Sequence, residues 1–329
     1  MQKPTSKNPN LTKETEEFIN SLAGGKPLYE MTPEDARKFL EDLQHKDHTE
    51  IEADVTDKEI STETHEKISL RIYKPKNTNE KLPAILYIHG GGWILGGKES
   101  WDRFLRQLAV CTNSAVIFPD YSRSPEAKFP KAINEIYNTL KYINENSAEF
   151  NIDTEKIVLA GDSAGANMAT VTVLRALKEN GPRILFQLLF YPVTNADMDT
   201  ESYNDFADGP WLTKKAMEWF WNAYEPDKEK RNNPYISPLK ADEQDLKNMP
   251  HTLIITDEND VLRDEGEEYA RKLDRAGVNV MNVRINGTCH DFIVLNALAD
   301  TAPVKAAFLL TCAKLKYIFE NKEGGNYVF

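Results

Sequence analysis

The chain of 329 residues has only three cysteines and no long apolar run. Cys111, Cys289 and Cys312 cannot make a full set of disulfides, and none stands at metal-ligand spacing. They read as free thiols in a reducing cytoplasm, and neither a metal nor another cofactor is expected. Cys289 stands beside His290 as a nucleophile would, but an inert buried thiol is the expectation for it. The longest apolar stretch, ILFQLLFYPV from Ile184, is interrupted by Gln187. It falls well short of the roughly 20 residues a membrane span needs, so no membrane partner is expected. The opening MQKPTSKNPNLTKETEE has no apolar core of signal-peptide length, so no secretion signal is expected. Basic charge is in deficit too: 40 Lys and Arg stand against 52 Asp and Glu, a formal net charge of −12. Such a surface repels phosphates, which excludes nucleic acid and leaves solubility as the reading of the acidity.

What the chain does contain is alternation. Residues 1–55 are polar and helix-prone, and Thr32-Pro33-Glu34-Asp35 supplies an N-cap, a first-position proline and early acids. Ala36, Phe39, Leu40 and Leu43 then fall on one helical stripe, which must dock on a partner because so short a helix is unstable alone. His45 and His48 beside it are read as solvated. From about residue 65, strand candidates follow at Ile68–Tyr73, Ala84–Ile88, Ala115–Pro119, Ile157–Ala160, Leu185–Tyr191, Thr252–Thr256 and Val278–Ile285. Helices are expected at Glu99–Cys111, Pro130–Asn146, Ala164–Asn180, Asp264–Ala276 and Ala302–Asn321. Continuous apolar runs such as AILYI indicate strands buried on both faces. An α/β fold with a mostly parallel central sheet covered by helices follows. One region, residues 197–247, breaks the alternation and reads as an insertion. Its aromatic helix, WLTKKAMEWFWNAYEP, has Thr213 as N-cap and Met217, Phe220, Trp221 and Tyr224 on one face, read first as the packing core of the insertion and also as a roof over a pocket.

Within that pattern, Gly161-Asp162-Ser163-Ala164-Gly165 follows a buried strand and opens a helix. This is the strand–turn–helix setting of a nucleophile elbow, where small residues make room for a strained serine and the helix start favours negative charge. Serine needs a base. His45, His48 and His65 lie in the polar N-terminal third and His251 opens a strand, which leaves His89 and His290. His290 follows the last strand on a loop. The acid should follow an earlier strand: Asp257, Asp260 and Asp264 all do, with Asp264 assigned to capping the next helix and Asp260 favoured over Asp257. Acyl transfer also needs oxyanion donors, and His89-Gly90-Gly91-Gly92-Trp93 stands at a strand end, where glycines let backbone N–H groups approach closely.

The motifs HGGGW (89–93), DYSRSPEAKFP (120–130), GDSAGA (161–166), DVLRDEG (260–266) and HDF (290–292) occur in this order. In them the chain resembles the hormone-sensitive-lipase-like family of α/β-hydrolases, the bacterial family IV esterases, over about residues 65–321. The resemblance implies an α/β-hydrolase fold with a helical cap: residues 1–55 as an N-terminal cap segment, and 56–329 as the catalytic domain with a cap insertion at about 197–247. It implies Ser163 as nucleophile, Asp260 as acid and His290 as base. The N–H groups of Gly91, Gly92 and Ala164 become the oxyanion hole, and His89 a brace for the glycine loop. The expected activity is hydrolysis of short-chain acyl esters, with amides, lactones or thioesters as the alternative for the same triad. Trp93 and Trp101 are expected to crowd the pocket. Plant hormone receptors of this family lack the histidine, whereas His290 is present. Departures from the family pattern include Ala166 for a third glycine, Val261 for proline, and Asp291 after the histidine, where a carboxylate would raise the imidazole pKa. The edge strand Val278–Ile285 is open to pairing with its copy in a homodimer.

Overall fold

The computed structural model describes residues 8–45, 51–62 and 67–321. His48, His65 and the first seven residues, on which some of the readings above rest, lie outside them. In chain order the helices are α1 Lys13–Ser21, α2 Pro33–Gln44, α3 Asp102–Thr112, α4 Lys131–Glu145, α5 Ser147–Phe150, α6 Ser163–Lys178, α7 Glu201–Asp205, α8 Lys214–Tyr224, α9 Glu243–Leu246, α10 Arg263–Arg275 and α11 Ala302–Glu320. The strands are β1 Asp54–Ser61, β2 Lys67–Lys74, β3 Leu82–Ile88, β4 Ala115–Asp120, β5 Ile152–Asp162, β6 Phe186–Phe190, β7 His251–Asn259 and β8 Val280–Cys289. They form one eight-stranded sheet in the order β1-β2-β4-β3-β5-β6-β7-β8. β2 runs antiparallel to β1 and β4, and every other pair is parallel.

All seven expected strands are present. The central ones are buried on both faces, as their unbroken apolar runs require: every residue of β6 is buried. Gln187, the polar interruption in that run, donates from Nε2 to Thr252 Oγ1 at 2.8 Å on the neighbouring strand, so its amide N–H finds an acceptor inside the sheet. Strand β1 escapes the sequence reading because DVTDKEIS is an edge strand with one buried residue, Ile60, and lacks the apolar signature of its neighbours. α6 is apolar on nearly every side and is buried along most of its length, which places it at the centre of the fold.

Thr32 caps α2 through a 3.1 Å bond from the Asp35 amide, and Thr213 caps α8 through the Ala216 amide at 3.0 Å. Asp264 does not cap its helix as expected. It lies inside the first turn of α10, and its carboxylate accepts from the Ser202 amide of α7 and from Arg263. The expectation of three free thiols also fails. Cys111 on α3 and Cys312 on α11 are joined by a disulfide across 201 residues of sequence, and only Cys289 is free and buried. The two helices pack side by side, a neighbourhood that cysteine spacing does not reveal. With Cys111 and Cys312 paired, the cysteines no longer support a reducing compartment. No helix among the described residues is long and apolar enough to cross a membrane.

Candidate active site

Four strand ends converge along one edge of the sheet. β3 delivers the glycine loop from His89, β5 delivers Ser163, β7 delivers Asp260 and β8 delivers His290. This is where open α/β sheets place their ligands. Ser163 heads α6 with φ of +52°, a left-handed backbone that strains any side-chain-bearing residue. The flanking glycines permit that turn. A Cβ on Gly165 would lie 2.0 Å from the Ile88 carbonyl oxygen, and one on Gly161 would lie 2.6 Å from the Gly165 backbone. Ala166 is fully buried at the helix start and is accommodated there.

The structure brings together the three residues that sequence reasoning favoured. Ser163 Oγ is 2.8 Å from His290 Nε2, and His290 Nδ1 is 2.7 Å from Asp260 Oδ2. The second Asp260 oxygen accepts the Leu262 amide at 3.1 Å, which fixes the carboxylate plane. All three side chains are nearly inaccessible to solvent. Asp257 lies beside them without touching the His290 ring through a hydrogen bond, so Asp260 is the histidine's partner. Burial alone would disfavour the imidazolium of His290, but the carboxylates of Asp260 and Asp291 overcome it and raise its pKa above the ordinary value.

Asp291, with φ of +65°, faces the same cavity. Its Oδ1 lies 3.5 Å from His290 Nε2, and its Oδ2 accepts the Trp211 indole N–H at 2.8 Å. One consequence is measurable. A base with a raised pKa is neutral only at higher pH, so kcat/KM should climb through an acid limb above the usual histidine value. Asp291→Asn removes part of the negative charge, and the limb should move to lower pH by about 1 unit. A limb that stays in place would show that Asp291 leaves the imidazole untouched.

Behind the serine, Asp162 is fully buried and accepts from Tyr87 Oη at 2.7 Å and Trp101 Nε1 at 3.0 Å. Burial first, and then the nearby Asp291 charge, push its pKa up to about 7. Gly90 must remain small because a Cβ there would lie 2.3 Å from Asp162 Oδ2. His89 is sandwiched against Tyr121 and Phe118, with ring centroids 4.3 and 5.0 Å away, and its Nδ1 donates to the Gly90 carbonyl at 2.9 Å. Burial drives its pKa down to about 3, so it stays neutral and props the loop. Gly91 and Gly92 hold φ of +85° and +59° and border the cavity with Ser163. The Ala164 amide lies in the first turn of α6, where helical geometry offers it no acceptor.

The cavity above the serine is largely apolar and is closed by two separate segments. Leu28, Phe39 and Leu40 come from the N-terminal helices, and Trp211, Leu212 and Phe220 from the segment around α8. Phe220 presses on the glycine loop so closely that a Cβ on Gly92 would lie 2.1 Å from its ring. Trp221 and Tyr224 pack inward, and Tyr224 stacks on Trp93 at 4.3 Å. The expected crowding by Trp93 is therefore corrected. Trp93 is part of the packing beneath, whereas Trp101 does reach the cavity wall.

Two residues missed by the sequence reading anchor α2 over the site. Arg37 donates to the carbonyls of Ile94 and Ser124 and pairs with Glu126. Gln44 donates to the carbonyls of Ser100 and Val294 and accepts the Asn296 amide. Neither sits in a motif; their role exists only because distant loops meet there.

Comparison with known proteins agrees with this geometry. The profile of the alpha/beta hydrolase fold family matches residues 85–294. An arylesterase of Saccharolobus solfataricus is 36% identical over 72% of this chain and 76% of its own length. An ethyl acetate hydrolase of Pseudomonas putida is 31% identical over 75% of this chain and 78% of its own length. A thermostable esterase of Pseudomonas putida superposes with a TM-score of 0.94 at 39% identity, covering 96% of this chain and all of that one. The chain belongs to this α/β-hydrolase family, and within it to the hormone-sensitive-lipase-like esterases, a class of carboxylic ester hydrolases.

Proposed function

We propose that Ser163, His290 and Asp260 form the working triad of a serine carboxylesterase for small, short-chain acyl esters. The observation that carries the proposal is the unbroken relay from Ser163 Oγ to His290 Nε2 at 2.8 Å and from His290 Nδ1 to Asp260 at 2.7 Å. Ser163 attacks the ester carbonyl while His290 accepts its proton, and Asp260 holds the imidazole orientation and stabilises the cation. The tetrahedral oxyanion rests on the N–H groups of Gly91, Gly92 and Ala164, each such donor contributing about 3 kcal/mol. His290 then passes its proton to the leaving alcohol, and water cleaves the acyl-enzyme by the same route.

The helices before residue 55 and the segment of about 197–247 serve as the cap in this reading. Short acyl chains are favoured because Phe220, Trp211 and Trp101 crowd the cavity next to the serine. A series of p-nitrophenyl esters tests this part. The highest kcat/KM should fall between acetyl and hexanoyl, and an optimum at decanoyl or longer would overturn it.

A further inference from the structure

The proposed mechanism uses one of two buried carboxyl groups at the end of β7. Asp257 is also fully buried, and neither of its oxygens finds a conventional hydrogen-bond partner. Its carboxyl, the Asp260 carboxylate and the His290 ring present atoms that all lie within 4.8 Å of one another. The strongest influences on its charge are burial and then Asp260, followed by His290 and Asp291; none is a lysine or arginine. The Cys289 thiol and the Tyr191 phenol also face it, and both are held protonated by burial. Two carboxylates this close in a dry interior cannot both ionise. Asp260 has the histidine and the Leu262 amide as partners, so it keeps the charge and Asp257 keeps a proton. The direction of its titration agrees, since burial and the Asp260 charge hold Asp257 well above the ordinary carboxylate range. A protonated carboxyl is a donor, and the acceptor within reach is Asp260.

We propose that Asp257 is a positioning residue of the triad, a neutral carboxylic acid whose O–H donates to the Asp260 carboxylate and limits how tightly Asp260 holds the proton on His290. The proposal rests on the triad reading above. A carboxylate that receives this extra hydrogen bond spreads its charge over two partners and stabilises the imidazolium less. The base is then freed at lower pH than an unassisted Asp260–His290 pair would allow. Asp257 touches neither substrate nor serine.

The test is the pH profile of kcat/KM on a soluble ester for the native protein, Asp257→Ala and Asp257→Asn. Alanine removes the donor, and the midpoint of the acid limb should rise by about 0.5 to 1 pH unit. Asparagine offers an amide N–H in place of the O–H, and its midpoint should stay within about 0.2 unit of the native one. A midpoint lowered by asparagine would mean that Asp257 carries a charge, and an unmoved midpoint in alanine would mean that the hydrogen bond does not act; either result overturns the proposal. An infrared difference between native protein and Asp257→Asn at neutral pH needs no turnover. It should show the carbonyl stretch of a protonated carboxylic acid, and its absence would be equally decisive should the alanine variant not fold. The triad reading fails separately, through an active Ser163→Ala protein, whatever Asp257 does.

Discussion

Ser163→Ala should abolish ester hydrolysis, with kcat falling about 10^6-fold, and should end covalent labelling by a fluorophosphonate. The size of the effect follows from the elbow. Backbone strain at Ser163 and the clearance at Gly161 and Gly165 aim one hydroxyl at His290, and some of the neighbouring hydroxyls are committed elsewhere. Thr194, for example, donates to the Glu265 carbonyl. Alanine keeps the Cβ and the turn, so circular dichroism and Tm should change little. A variant that retains a tenth of the native rate would remove Ser163 from the mechanism.

Asp260→Asn should lower kcat by about 10^4 with KM little changed, by the reasoning that applies to any such triad. The amide carbonyl can still accept from the Leu262 N–H, so the loop keeps its shape. At the imidazole the outcome is opposite. An amide that presents N–H to Nδ1 forces the ring proton onto Nε2, where it faces Ser163 and cannot accept the hydroxyl proton. The contrast with Asp257→Asn is sharp, because that change of equal size three residues earlier in the chain should leave kcat within a few-fold. Steady-state kinetics of the two variants side by side check both statements, and equal losses would show that the assignment of the acid to Asp260 is mistaken.

Much of the site could be read in advance because its parts are local. A glycine–serine turn after a buried strand marks a candidate elbow from its own residues, and the glycine loop and the later strand-end aspartate and histidine strengthen Ser163 as its nucleophile. Gly90, Gly91 and Gly92 declare a close backbone approach in the same way. The choice between Asp257 and Asp260 was less local. Both follow the same apolar run, and only the position of the β8 loop decides which carboxylate meets the imidazole. β1 went unread because an edge strand that buries little has little apolar pattern.

The sequence by itself determined the parallel sheet, the order of the strand ends that carry Ser163, Asp260 and His290 and the chemical types gathered there, because strand burial and turn chemistry are written in neighbouring residues. Tertiary structure alone decided that Cys111 meets Cys312, that Phe220 rather than Trp93 closes on the glycine loop, and that Arg37 and Gln44 pin the first helices over the serine. Those are contacts between segments tens to hundreds of residues apart. Their partners are set by how elements pack, and no periodicity along the chain records them.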